Sequence, residues 1–342
     1  MPAWALAPVS PVSVGIALPD NVVSNARLCE DLDSTPAWIE EKTGIKERRF
    51  LDTDENITGL ATQAAANALA NADIAASDIE VLVVACTSPD WLMPSLGVMI
   101  ATELSITTPR IIDITQHACS SSVYAIYTAA CMLQEEGLEN ALVVGAECIS
   151  RNTDPNDRRT RVFFGDAAAA TVLRKGGATG ASEGLLGYDL GSSLSHAVAM
   201  ASPSQLCHER ATMGREVSPR YLRMDGRVVW QEATTQVPKS INDALAASQV
   251  DVHQVNAFAL HQASAVLVRH ITASMGIDKE KVAVTAEWLG NTAAASPLTA
   301  LWQLARDGRT RRGDHLVISA IGAGFLWGSL CFKLPNDIVA EG

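Results

Sequence analysis

The 342-residue chain contains no run of the roughly 18 to 20 apolar residues that a membrane span requires. Its start, MPAWALAPVSPVSVG, lacks the basic n-region of a secretory signal. A cytoplasmic location is therefore expected. Paired cysteines are missing too. The seven cysteines (Cys29, Cys86, Cys119, Cys131, Cys148, Cys207, Cys331) are odd in number, scattered and without a CxxC, which argues against a disulfide framework or zinc ribbon and for reduced thiols. Positive charge is scarce: 26 Lys and Arg against 38 Asp and Glu give a formal net charge of −12. That balance disfavours nucleic acid as a partner, because phosphate binding needs clustered cations. The local exception is RNTDPNDRRTR at 151–161, readable either as a solvated loop closed by its own acids or as a cradle for a phosphorylated small molecule or carrier.

Apolar residues are abundant, 48% against 19% charged, as in a compact enzyme with a large core. The length suits two domains or one duplicated unit. Short apolar, β-branched runs predict strands at 80–86, 110–115, 140–147 and 167–173, then at 255–260, 281–286, 315–322 and 328–334, with alanine-rich helical stretches between them. The halves also align: NALANADIAASDIEVLVVA from Asn67 matches NDALAASQVDVHQVNAFALH from Asn242, a shift of about 176 positions. Two similar α/β halves, 1–176 and 177–342, follow. Their strands are apolar enough to require cover on both faces.

The repeat places residues without coordinates. Cys119 falls between a strand and a helix, Asn291 at the equivalent point of the second half, and His261 at the end of the strand matching EVLVVA. Ligands of open α/β sheets collect beyond the carboxyl ends of strands, so the three point to one crevice. A helix N-terminus is expected to lower the Cys119 pKa and favour the nucleophilic thiolate. Cys86, Cys131, Cys148 and Cys331 sit in or beside buried strands or within a helix, positions ordinary for a small hydrophobe. Taken singly, His261 reads equally as a core or surface histidine and Asn291 as a helix cap.

The ordered motifs GIALPDNVVSN, WIEEKTGIKERRF, ACSSS, VVGAECISRNTDPNDRRT, FGDAAAATVL, YLRMDGRVVWQEA, LHQAS, LGNTAAASP and GAGFLWGS resemble the β-ketoacyl-acyl-carrier-protein synthase III family of the thiolase superfamily nearly end to end. The resemblance implies a five-layered αβαβα thiolase fold working as a homodimer, with Cys119, His261 and Asn291 as catalytic triad. It also implies an oxyanion hole from the N–H groups of Cys119 and Gly324, and Trp38 and Arg151 flanking the coenzyme A adenine. The activity implied is decarboxylative Claisen condensation of an acyl-CoA, held as acyl-Cys119, with malonyl-CoA or malonyl-acyl-carrier protein. These thioesters are substrates; no separate cofactor or metal is expected.

Departures from the family pattern point to a specialised member. Ser120-Ser121-Ser122 follow the cysteine where a small residue, Gly and an aromatic are usual, and His117 stands just before it. Gln231 and Val266 occupy the basic positions that dock the carrier, with Arg269 and Arg227 as nearby substitutes, and Arg227 is a further candidate for coenzyme A. Met93, Trp91 and Leu222 are acyl-pocket candidates, Met93 matching a position through which the partner subunit closes the pocket. The stretch 191–220, with His196, Cys207, His208 and Glu209, reads as a variable active-site loop rather than a metal site. Alternative readings are an acyltransferase of this fold acting on a hydroxyl or amine without decarboxylation, and a non-catalytic partner of a heteromeric synthase.

Overall fold

A computed structural model describes residues 7–107, 109–176, 183–200 and 221–341. Two sheets organise the chain. The first runs in the order Val9–Ala17, Ala167–Lys175, Asn140–Glu147, Val81–Ala85, Arg110–Ile114, its first two pairings antiparallel and the others parallel. The second runs Gly184–Ser192, Leu326–Lys333, His315–Gly322, Ala257–Leu260 with the same sequence of directions. Where the first sheet has its fifth strand, the second keeps only a bridge between Phe258 and Val282.

That bridge corrects one expectation: 281–286 is not a strand. Lys281 closes the turn Lys279–Lys281 and the helix Ala286–Leu289 starts almost at once, leaving too few extended residues to pair. Within these two sheets, two strands escape the pattern of short apolar runs. Val9–Ala17 carries Pro11, which a register shift between Pro11 and Ser13 absorbs. Gly184–Ser192, GLLGYDLGS, has a glycine content that argues against a strand interior. Both are held by pairing to apolar neighbours.

Side chains alternate across a strand, and here both faces of the central strands are apolar. Val81, Val83, Ala141, Val143 and Ala169 face one way, into a core shared with Ala257, Ala259, Leu316, Ile318 and Leu330 of the second sheet. The helices Ser121–Met132 and Ser296–Arg306 fill that space between the sheets. Leu82, Val84, Leu142 and Val144 face the other way, against the helices Ile57–Ala72 and Leu96–Glu103. Phe258, Leu260 and Val317 likewise face the helices Gly226–Ser248 and Ala265–Ser274. Five layers result, αβαβα. Each fully buried Val or Leu contributes about 1.5–3 kcal/mol relative to exposure, so the central sandwich dominates stability. The C-terminal tail returns to the first sheet, where Val339 bridges Ser13. No helix among the described residues is long and apolar enough to cross a membrane.

Candidate active site

Each sheet receives a turn from the other half. The turn Ala118–Ser120, which precedes the helix Ser121–Met132, sits against Gly322: a β-carbon there would lie 2.1 Å from the His117 carbonyl oxygen and 2.8 Å from the Ser120 nitrogen. Reciprocally, the turn Ala293–Ala295 sits against Gly145, where a β-carbon would lie 2.7 Å from the Ala294 carbonyl oxygen. Ala118 and Ala293 have φ of 48° and 44°, a left-handed conformation that costs an alanine about 1–2 kcal/mol. The packing of the opposite strand end over-determines both turns. Thus Cys119 and Asn291, far apart in the chain, are pressed toward one another across the interface between the sheets.

The Asn291 backbone is fixed on both sides: its N–H donates to Phe163 O at 2.7 Å and its carbonyl accepts from Gly165 N at 3.1 Å. Its side-chain Oδ1 accepts the Ala293 N–H at 2.9 Å, which leaves the carboxamide NH2 as the group presented to the neighbouring Cys119 thiol. His261 ends the strand Ala257–Leu260, held by an N–H bond to Ser319 O at 2.8 Å. Its Nδ1 meets the Ser296 hydroxyl, leaving Nε2 toward the cavity. Cys119, His261, Asn291 and Gly324 all line this one cavity of about 1510 Å³. Neither the Gly324 N–H nor the Cys119 N–H donates to a backbone acceptor outside regular elements among the described residues, so both can meet a ligand in the cavity.

Burial, not the helix terminus, sets the protonation states. It pushes the Cys119 thiol up to about 12, the nearby Glu147 carboxylate adding to the rise and the Asn291 hydrogen bond opposing it. The expected lowering fails on magnitude: a helix end contributes about 0.3–1 kcal/mol, whereas full burial shifts a pKa by up to about 3–5 units. At rest Cys119 is a thiol. Burial likewise depresses the His261 imidazole to about 3, so it is neutral through the physiological range.

Glu147 ends the strand Asn140–Glu147, fully buried behind the nucleophile turn. It accepts the Thr87 N–H at 3.1 Å and the Ser88 hydroxyl at 2.6 Å, and burial raises its pKa to about 7. Its folded pKa lies above the ordinary carboxylate value, so stability falls as pH rises from about 4.5 through about 7. His261 acts oppositely: its contribution is present above about 6.5 and lost as pH falls toward about 3. Glu147→Gln removes the charge and keeps an acceptor for Thr87. It is expected to speed iodoacetamide alkylation of Cys119 about three- to tenfold at pH 8 and to shrink the loss of thermal stability between pH 5 and pH 8. An unchanged alkylation profile would mean that the carboxylate does not govern the thiol.

The outer candidates separate. Leu222 packs beside Cys119 with Ile149, Phe164 and Ala293, forming an apolar wall. Trp91, 63% exposed, lines the cavity rim, and Met93, 85% exposed, lies outside the lining of a single chain. Arg151 lines the cavity, its guanidinium donating to the carbonyls of Asp52 and Glu55 at 2.6 and 2.9 Å. The cation over Trp38 is Arg158, 5.1 Å from the ring centroid. Arg161 is drawn inward to Ser150 O, Thr153 and the Phe50 ring, and Arg159 pairs with Asp157, so the arginine-rich stretch is largely spent on its own loop. Arg269 is paired with Glu287, whereas Arg227 forms no ion pair among the described residues and does not line the cavity. His196 lines the cavity; Cys207, His208 and Glu209 lie outside the described residues. Glu147 had a legible signal, an acid closing the otherwise apolar run NALVVGAE, but Ser296 and Arg158 had none separable from their neighbours.

The family model for 3-oxoacyl-[acyl-carrier-protein (ACP)] synthase III matches residues 112–193, and that for its C-terminal region matches 245–334. A β-ketoacyl-[acyl-carrier-protein] synthase III of Bordetella petrii is 33% identical over 325 residues, covering 94% of this chain and 96% of its own. The corresponding protein of Bradyrhizobium diazoefficiens is 36% identical over 321 residues, with 92% and 95% covered. Among solved structures, the 3-oxoacyl-[acyl-carrier-protein] synthase III of Aquifex aeolicus superposes with a TM-score of 0.86 at 30% identity over 95% of this chain and 99% of that one. The priming β-ketosynthase of the R1128 polyketide pathway superposes with a TM-score of 0.89 at 28% identity, over 97% and 98%.

Proposed function

Because the chain belongs to the β-ketoacyl-acyl-carrier-protein synthase III family of acyltransferases, we propose that it condenses an acyl-CoA starter with a malonyl thioester in two stages on Cys119, His261 and Asn291. In the first, Cys119 Sγ attacks the thioester carbonyl and the oxygen's charge is received by the N–H groups of Cys119 and Gly324. The coenzyme A sulfur leaves with the proton that the thiol gave up. In the second, the malonyl thioester loses CO2, and the enolate oxygen accepts hydrogen bonds from His261 Nε2 and Asn291 Nδ2. The enolate carbon attacks the acyl-cysteine, the cysteine leaves as a thiolate and takes a proton from water to regenerate the thiol, and a β-ketoacyl thioester results. Carrying this reading is one observation: the Asn291 carboxamide, its oxygen already engaged, turns only donors toward the reacting sulfur.

Trp38, with Arg158 above its face, and Arg151, which lines the cavity, are the proposed flanks of the nucleotide end of coenzyme A. The partly exposed edge strand Arg110–Ile114, with Trp91, Leu92, Met93 and Val98 exposed nearby, supports a homodimer in which Met93 and Trp91 complete the partner's acyl pocket. Since Gln231 and Val266 bring no charge to the carrier-docking positions and Arg269 is neutralised by Glu287, coenzyme A or a dedicated carrier is the proposed donor of malonate. We propose no further cofactor. Incubating acyl-loaded protein with carboxyl-labelled malonyl thioester is expected to release labelled CO2 in step with a β-ketoacyl product. An O- or N-acyl product without CO2 would instead establish simple acyl transfer.

A further inference from the structure

Ser296 opens the helix Ser296–Arg306 and is fully buried. Its hydroxyl oxygen accepts the backbone N–H of Gln262 at 3.1 Å and also meets His261 Nδ1. The Gln262 N–H cannot move away, because the Gln262 side chain donates to Leu260 O and Ala283 O at 2.8 and 3.0 Å and accepts from Ala286 N at 3.1 Å. A serine hydroxyl has a single hydrogen. With the Gln262 N–H occupying a lone pair, that hydrogen has one acceptor among the described residues, Nδ1. Were Nδ1 protonated instead, it would point its own hydrogen at the oxygen and strand the hydroxyl hydrogen in a dry site. A buried, unsatisfied donor costs about 1–3 kcal/mol, enough to bias two neutral tautomers by about tenfold or more.

We infer that Ser296 is a positioning residue that fixes His261 as the tautomer protonated on Nε2, making the imidazole a hydrogen-bond donor into the cavity. A neutral imidazole has only one N–H, so the choice of nitrogen decides between donor and base. As a donor, His261 joins the Asn291 carboxamide to present two N–H groups where the enolate oxygen develops, and it is unsuited to remove the thiol proton. This consequence for catalysis rests on the two-stage reading above; the tautomer itself does not. Loading and decarboxylation therefore depend differently on Ser296. Loading needs the Cys119 and Gly324 N–H groups, whereas decarboxylation needs Nε2–H.

The test is nitrogen NMR of protein labelled with 15N-histidine, the His261 signals being assigned by their loss in His261→Gln. The wild type is expected to show a pyrrole-type Nε2 and a pyridine-type Nδ1; a pyrrole-type Nδ1 overturns the inference. In Ser296→Ala the two shifts should move toward one another as both tautomers populate. Malonyl decarboxylation should then fall with the Nε2-protonated fraction, about twofold at equal populations, while acyl loading stays unchanged, and Ser296→Thr should restore the wild-type shifts. Equal losses in both half-reactions with unchanged shifts would reduce Ser296 to a packing residue. If the wild type shows the stated tautomer yet never decarboxylates malonyl thioesters, the proposed condensation fails while the tautomer assignment stands.

Discussion

Protein carrying Cys119→Ala gains no acyl mass from an acyl-CoA, and its condensation rate falls by at least roughly three orders of magnitude. Two other thiols border the same cavity and set the stringency of this expectation. Cys86 is 2% exposed at a strand end and its pKa is raised well above the ordinary value by burial, then by Glu147. Cys148 is 3% exposed, burial pushing it up to about 12, with its sulfur 3.6 Å from the Asp166 carboxylate. The hydrogen-bonding neighbours of these thiols are Ser88 for Cys86 and Ser150 and Asp166 for Cys148, in place of the Asn291 carboxamide. The mass increment should therefore map to Cys119 alone by peptide analysis. Malonyl decarboxylation should survive in the same variant, since the His261 and Asn291 donors do not need the thiol. An adduct on Cys86 or Cys148, or persistent loading without Cys119, would overturn the assignment of the nucleophile.

The second large effect is expected at Asn291. Asn291→Asp preserves size and keeps an oxygen for the Ala293 N–H, but it replaces the NH2 donor with anionic oxygen at the point where the enolate charge grows. Losing one donor from an oxyanion site typically costs about 10²–10³ in rate, and a buried like charge adds to that. Decarboxylation by Asn291→Asp should fall by at least about 10³, further than for Asn291→Ala, which loses the donor without gaining the charge. The introduced carboxylate would also raise the Cys119 pKa further, so alkylation of the thiol should slow at every pH where that carboxylate is ionised. Labelled-CO2 release and iodoacetamide kinetics read the two effects separately. Turnover within about tenfold of wild type in Asn291→Asp would remove Asn291 from the enolate site.

Much of this architecture is legible along the chain. Val81–Ala85 and Ala257–Leu260 read as buried strands because both of their faces meet helices or the opposite sheet, a condition that only continuous apolar runs satisfy. The antiparallel strands Val9–Ala17 and Gly184–Ser192 escape that reading. Pro11 and the glycines of GLLGYDLGS speak against strand, and long-range pairing overrides them. The arginine over Trp38 was not legible either: RNTDPNDRRTR offers several candidates, and the turn geometry, which sends Arg151 toward Asp52 and Glu55, leaves Arg158 for the ring.

By itself, the order of residues determined the duplicated α/β plan and put Cys119, His261 and Asn291 at strand–helix junctions, because hydrophobic periodicity and repeated segments are properties of neighbours along the chain. Tertiary structure alone decided that Cys119 rests as a thiol, that Glu147 lies behind it and that Ser296 faces the imidazole. Protonation and hydrogen-bond direction depend on burial and on groups that one half of the molecule presents to the other, and no local pattern encodes those distances.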